Sequence, residues 1–289
     1  MISDHDLRKE LSIFRKPIEC ANSIYTSRNS SKGALLTEAM TLFSFLARNN
    51  SLASAREAVI QDDLFIKKAY QTRKKCWAIL HSRYFPARVE FSGDMANRDY
   101  SECNHPIIAL FRAHASETMK KGVLYYHFAT SDLFTYEATV ELVYDLYSKG
   151  LTNLASRDVH KFLDSKKKSH PEINNWSPQT CSSLVSHYLS AMRDFGILKG
   201  KVQKKIYRPT VEEDLFLYVV VYLRDCGKSP KDILASDDFK LFLLSRQEVE
   251  ARLRESQRRH RIRFLRSGSI VSLELPWRSI YEYIENIGD

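Results

Sequence analysis

The residues able to do chemistry are few and spread along the chain. Cys103 and His105, in the run CNH, are two metal-ligating types, but no second pair lies near them in sequence. Two ligands make half a zinc site, so they read as a loop cysteine and a loop histidine. His160, His170 and His187 stand close to lysines and to one another in sequence, the ingredients of an acid–base pair in a nuclease. No acidic metal cluster or defined motif accompanies them, which leaves nuclease chemistry as the minor reading. His127, inside YYHF, sits among aromatics and reads as a hydrogen-bonded core histidine. There is no Gly-rich phosphate loop, HExxH helix or GxSxG elbow, and only nine glycines occur in all. That argues against nucleotide hydrolysis and common hydrolase chemistry. The expectation is a non-catalytic protein with no cofactor and no metal.

The strongest chemical signal is cationic. Between Arg252 and Arg266 there are seven arginines in fifteen positions, in RLRESQRRHRIRFLR. Part of this is a solvated helix with acids four residues before arginines: Glu248 with Arg252, Glu250 with Arg254, Glu255 with Arg259. Each such pair contributes about 0.2 to 0.5 kcal/mol. The following RIRFLRSGSIVSLELP alternates and carries a turn signal at Arg266-Ser267-Gly268-Ser269, which predicts a hairpin with Leu265 opposite Ile270. That register pairs Phe264 with Val271, Ile262 with Leu273, Arg263 with Ser272 and Arg261 with Glu274. It leaves Arg258, Arg263 and Arg266 unpaired around a wing, where they would contact phosphates.

Other basic runs extend this footprint: Arg73, Lys74 and Lys75, then Lys166 to Lys168, then Lys199, Lys201, Lys204, Lys205 and Arg208. Charge runs are usually solvated faces, and sequence does not place the three on one side of the molecule. Residues 156–210 run in a more informative order: SRDVHKFLDSKKKS, the loop HPEINNW, SPQTCSSLVSHYLSAMRDFGIL, and the basic KGKVQKKIYRP. Helix, loop, helix and basic hairpin is the order of a winged helix. Ser177 is a good N-cap and Pro178 suits the first helical position. Leu184, Tyr188, Ala191 and Phe195 line one face, while Gln179, Thr180, Ser183 and His187 point elsewhere, as the base- or phosphate-reaching residues of a recognition helix do.

Composition sets the frame for these surfaces. The chain has 289 residues, 44% of them hydrophobic, and its 44 Lys plus Arg exceed its 35 Asp plus Glu by nine. It is globular and favours polyanionic partners. The five cysteines, at 20, 76, 103, 181 and 226, are scattered and never spaced CxxC, which fits a reducing cytosol better than a disulfide framework. MISDHDLRKELS lacks the pattern of a secretory signal. The longest apolar run, LFLYVVVYL at 215–223, is nine residues where a membrane span needs about 20, so it predicts a buried helix or strand. A cytoplasmic protein is expected.

The elements that carry these residues are predominantly helical. Leu35, Leu36, Met40, Phe43 and Leu46 form a helical stripe ending at Asn49 and Asn50, followed by helices through SLASAREAVI, capped by its serine, and IKKAYQTRKKCWAILHSRYF. Residues 86–105 read as a loop or connection. Helical patterns return in IIALFRAHASETMKKG and FTYEATVELVYDLYSKG. The predicted organisation is an extension at 1–32, a helix-turn-helix-like unit at 33–85, the connection at 86–105 and a C-terminal region at 106–289 with winged-helix-like units near 132–210 and 211–276. The fold class is mainly α with short β-hairpin wings.

GALLTEAMTLFSFL followed by AREAVIQDDLFIKKAYQTRKKCWAILHSRYF resembles the start of the BrxA family of bacterial phage-exclusion (BREX) systems. YYHFATSDLFTYEATVELVYDLYSKG, the helix beginning SPQT, DFGILKG and the arginine-rich segment before a hairpin follow in a similar order, so the resemblance spans roughly 33–275. It implies a small, mainly helical cytosolic protein that binds DNA and works in defence beside a methyltransferase, a phosphatase-like protein and an ATPase. It supplies no catalytic residues. Combined with the charge pattern, the reading is DNA binding with weak sequence preference through Arg258, Arg259, Arg261, Arg263 and Arg266, the lysines near 199–205 and the helix from Ser177. The alternatives are a protein–protein scaffold or a histidine-dependent nuclease.

Overall fold

Helix signals in the chain become helices where capping and periodicity agree. A computed structural model describes residues 24–85, 105–113, 115–200 and 204–287. Most of the expected connection at 86–105, the leading residues 1–23, Cys20, Cys103 and Lys201 lie outside the described residues. Helices α1 (Leu36–Asn49), α2 (Leu52–Ile60) and α3 (Tyr70–Tyr84) follow one another. Asn50 ends α1 in a left-handed conformation, and Ser51 caps α2 by accepting from the Ser54 N–H at 3.2 Å. The α2–α3 turn holds Ile66 at φ +54. A β-branched residue there is strained by about 1–3 kcal/mol.

The helical pattern of IIALFRAHASETMKKG resolves into two helices, α4 (Pro106–Arg112) and α5 (Glu117–Thr130). His105 opens α4 by accepting from Ile107 N–H, and Ser116 opens α5 by accepting from Met119 N–H. Next comes a nearly continuous rod: α6 (Leu133–Glu137), a π-helical segment (Ala138–Val143) and α7 (Tyr144–Ser148). The π segment sits where Thr139 Oγ1 donates to the Thr135 carbonyl at 2.8 Å and meets Tyr188 Oη at 3.1 Å.

From β1 (Asn153–Leu154) the chain runs through α8 (Ser156–Ser165), two 3-10 turns, α9 (Pro178–Asp194), β2 (Leu198–Lys199) and β3 (Lys204–Ile206). The three strands form an antiparallel sheet in the order β1-β3-β2. The apolar run 215–223 is buried in α10 (Glu213–Asp225). It approaches α5 at Gly122, where a Cβ would lie 2.4 Å from Leu215 Cδ2. Then follow α11 (Pro230–Leu234), α12 (Arg246–Arg258), the hairpin β4 (Arg263–Ser267) and β5 (Ile270–Glu274), and α13 (Ile280–Glu285). The molecule is mainly α, with two small antiparallel sheets among the described residues.

The buried apolar residues form one cluster from Tyr25 to Ile287. α13 packs on both α4 and α10, so the last described helix shares a core with the middle third of the chain. His127 is in that core, as expected, with Nε2 2.8 Å from Tyr218 Oη.

Candidate nucleic-acid interface

Most of the cluster of seven arginines is tied to acids, and the ties come from register and tertiary packing. The β4–β5 hairpin pairs Ser267 with Ile270, leaving a two-residue turn at Gly268-Ser269, with Gly268 at φ +59. The predicted register, with Leu265 opposite Ile270, is therefore replaced: Leu265 faces Ser272, Phe264 faces Leu273, and Arg263 faces Glu274. A two-residue turn with a left-handed glycine matches strand twist better than a four-residue loop. Phe264 is buried against the body, which puts Arg266 on the same inward face. There Arg266 pairs with Glu250 of α12, which also holds Arg254 at 2.7 Å.

The remaining arginines follow the same pattern. Arg258 pairs with Glu255 one turn back, Arg259 with Glu255 at 3.1 Å and Glu213 at 2.9 Å, and Arg261 with Asp214 at 2.6 Å rather than with Glu274. Arg263 reaches Glu274 at 3.5 Å. The expectation that Arg258, Arg263 and Arg266 are unpaired is thereby corrected. Glu248 does not serve Arg252. It forms a capping box with Ser245 and takes Arg208 at 2.5 Å, and burial is offset by those hydrogen bonds, so its carboxyl lies below the usual range. The SRQE motif carries that signal in sequence. Arg252 instead donates to the Val211 carbonyl at 2.9 Å.

These pairs divide into two kinds. Arg208, Arg261 and Arg266 join different elements and hold the hairpin and sheet to the body. Arg258 and Arg263, with side chains 74% and 85% exposed, make weak pairs screened by solvent, which a phosphate can displace.

The β1-β3-β2 sheet offers a different kind of cation. Its inward face carries Leu154, Leu198 and Ile206; its outward face lines up Asn153, Lys205 and Lys199 across the three strands. Lys199 and Lys205 are direct cross-strand partners, exposed, and without an acidic partner among the described residues. Lys199 Nζ lies 3.2 Å from the Tyr207 ring centroid, which holds it on that face. Like charges directly opposite destabilise a sheet, so the fold does not account for this pair. Lys204 points to the other face.

α9 lies beside this sheet. Ser177 accepts from Thr180 N–H at 3.1 Å and its hydroxyl is 2.9 Å from Thr180 Oγ1, which commits Thr180 to the cap. Leu184, Tyr188, Ala191 and Phe195 are buried as expected. The open stripe is Gln179, Ser182, Ser186 and Arg193, one position away from the predicted Ser183 and His187. An N-terminal strap decides this. His187 Nδ1 donates to the Ser30 carbonyl at 2.9 Å, and Gly33 lies so close to α9 that a Cβ there would be 3.7 Å from Ser190 Cβ. Arg83 of α3, itself buried, anchors the strap by donating to Asn29 Oδ1 at 2.7 Å and to the Lys32 and Ala34 carbonyls.

The other predicted residues fall elsewhere. Arg73 is half-buried near Asp63 at 3.6 Å, while Lys74 and Lys75 are exposed on α3. Lys166 is taken by Glu137 at 2.7 Å and Glu141 at 2.8 Å. The three histidines of the nuclease reading sit in separate settings: His170 stacks on Tyr25 beside Glu172, His187 is tied to the strap, and His160 lies half-buried on α8. Among the described residues no group of three or more His, Cys, Asp or Glu is placed to hold a metal.

A model of the BrxA family matches residues 23–220, more than half of the chain. The chain belongs to the BrxA family. Membership associates it with bacterial phage exclusion. The matched span begins at the strap and ends inside α10, so it includes α9 and the lysine-bearing sheet. The resemblance read over 33–275 shifts accordingly, and the arginine-rich α12 and its hairpin lie beyond the match. No curated protein matches the chain. Among the described residues, no helix of this BrxA-family protein is long and apolar enough to cross a membrane.

Proposed function

We propose that this BrxA-family protein is a cytoplasmic, non-catalytic component of a phage-exclusion system that binds double-stranded DNA with weak sequence preference. The observation that carries the reading is the opposed, acid-free Lys199–Lys205 pair on the outward sheet face beside the open stripe of α9. Two helices, a hairpin and a strand order of β1-β3-β2 support a winged-helix reading, in which α9 would offer its first turns to a groove and the lysines would take phosphates. Arg258 and Arg263 add displaceable cations at a second location. Arg208, Arg261 and Arg266 act in the fold. Partners within the same system would include its methyltransferase, phosphatase-like protein and ATPase.

Affinity of the full chain for a fluorescent random-sequence duplex across a salt series tests this. Each neutralised phosphate contributes about −0.9 to the log–log slope, and four or more contacts are expected. Lys199→Gln with Lys205→Gln should reduce the slope by about 1.8. Lys205→Glu should weaken binding while stabilising the sheet by about 0.2–1 kcal/mol, because opposite charges then face each other. A duplex left unbound at low salt refutes the reading. A scaffold role is favoured by one feature, the outward face of the second hairpin, where Leu265 and Ile270 are 67% and 73% exposed; it predicts a soluble partner complex with negligible DNA affinity.

A further inference from the structure

The turn between α2 and α3 spends conformational energy on a residue the fold does not use. Asp63 and Ile66 both have left-handed backbones. Asp63 suits the position: its Oδ1 accepts from Lys67 N–H at 2.5 Å and its carbonyl from Ile66 N–H at 2.8 Å. Ile66 does not suit it, since a glycine or asparagine would adopt the same angles with less strain. Its side chain is 88% exposed, so packing returns nothing.

The surroundings of Ile66 are cationic. Over residues 61–75, Lys67, Lys68, Arg73, Lys74 and Lys75 stand against Asp62 and Asp63, an excess of three positive charges. Lys67 pairs with Glu38 at 2.8 Å and Arg73 with Asp63, while Lys68, Lys74 and Lys75 are exposed with no acidic partner among the described residues. The exposed Tyr70 ring lies beneath Lys74 Nζ, 5.5 Å from its centroid. The patch continues toward α9. Arg83 of the same helix donates to the carbonyl of the strap's Lys32 at 3.1 Å, which joins the strap to the helix that carries Lys74 and Lys75. Gly33, the next residue, packs on Ser190.

We propose that the α2–α3 turn is a second duplex contact, with Ile66 entering the minor groove as an apolar wedge and Lys68, Lys74 and Lys75 holding the flanking phosphates. The inference rests on the DNA-binding reading above and adds that the DNA is kinked. Aliphatic wedges partly unstack a base step and bend the duplex by roughly 20–90°. An anionic bilayer is the weaker match for this chemistry. One aliphatic side chain is far smaller than a myristoyl chain, which by itself holds a membrane only marginally, whereas a wedge needs only to perturb a duplex that phosphate contacts already hold.

The test uses full-length protein and a duplex labelled at both ends for energy transfer. Wild type should shorten the end-to-end distance. Ile66→Gly and Ile66→Ala should abolish the shortening, lower affinity no more than about tenfold and leave the salt slope unchanged, because the slope counts phosphate contacts. Ile66→Gly also relieves strain, so its melting temperature should not fall. Lys68→Gln with Lys74→Gln and Lys75→Gln should reduce the slope. Binding without bending by wild type, or bending retained in Ile66→Gly, overturns the wedge and leaves DNA binding intact. A wild type that does not bind DNA overturns both. Co-sedimentation with phosphatidylglycerol vesicles that Ile66→Gly abolishes would assign the patch to membranes and also overturn the proposal.

Discussion

Replacing His105 with asparagine should change how stability depends on pH. The imidazole is buried: its Nε2–H donates to the Tyr84 carbonyl at 2.9 Å, and its Nδ1 accepts from Ile107 N–H at 3.1 Å. Those two bonds join the end of α3 to the start of α4 and require the neutral ring, because Nδ1 must keep a lone pair. Burial lowers the imidazole from 6.5 to about 3, against a smaller opposing effect of the Tyr84 carbonyl. A lowered histidine means the unfolded chain binds the proton first. Stability from this group is therefore complete above about pH 6.5 and is lost as pH falls toward 3. One pH unit corresponds to about 1.4 kcal/mol, so from pH 7.5 to 5.0 the loss is about 2 kcal/mol. Asparagine can still cap α4 but leaves the Tyr84 carbonyl unpaired, at about 1–3 kcal/mol. Urea denaturation of wild type and H105N at both pH values isolates the effect, since other groups titrate equally in the two. The gap between them should shrink by about 2 kcal/mol at pH 5.0. A gap that stays constant would refute the account of a neutral, buried His105.

Arg83→Met should release the strap. Three acceptors, Asn29 Oδ1 and the Lys32 and Ala34 carbonyls, lose a buried guanidinium, at about 3 kcal/mol together. Hydrogen exchange of residues 24–34 should accelerate while α5 and α10 stay protected; uniform acceleration would mean the arginine serves the whole core instead. Glu250→Gln should lower stability by no more than about 1 kcal/mol, since its partners Arg254 and Arg266 are surface pairs. It should loosen the β4–β5 hairpin, read as faster amide exchange over 263–274, and unchanged exchange would show that Phe264 alone anchors it.

Helices were legible because each depends on information within a few residues. Ser51 and Ser177 announce helix starts, and the stripes at Leu184, Tyr188 and Ala191 announce which side is buried. The helical pattern read through IIALFRAHASETMKKG did not mark the break after Arg112, where α4 ends and Ala113 turns extended. The arginines were harder. Acids such as Asp214 and Glu213 lie more than forty residues from Arg261 and Arg259, and nothing local couples them.

Local order along the chain thus determined the helical class, the caps, the buried run of α10 and the basic hairpin after α9, because capping and periodicity act over one or two turns. Which cations keep an acid and which do not was decided only by tertiary structure. A hairpin register differing from the expected one put Arg266 onto Glu250, a strap from the N-terminal end took His187, and a three-strand alignment set Lys199 opposite Lys205. Coulomb interactions fall off with distance in space rather than in sequence, so the charge pattern became a surface only when the chain had folded.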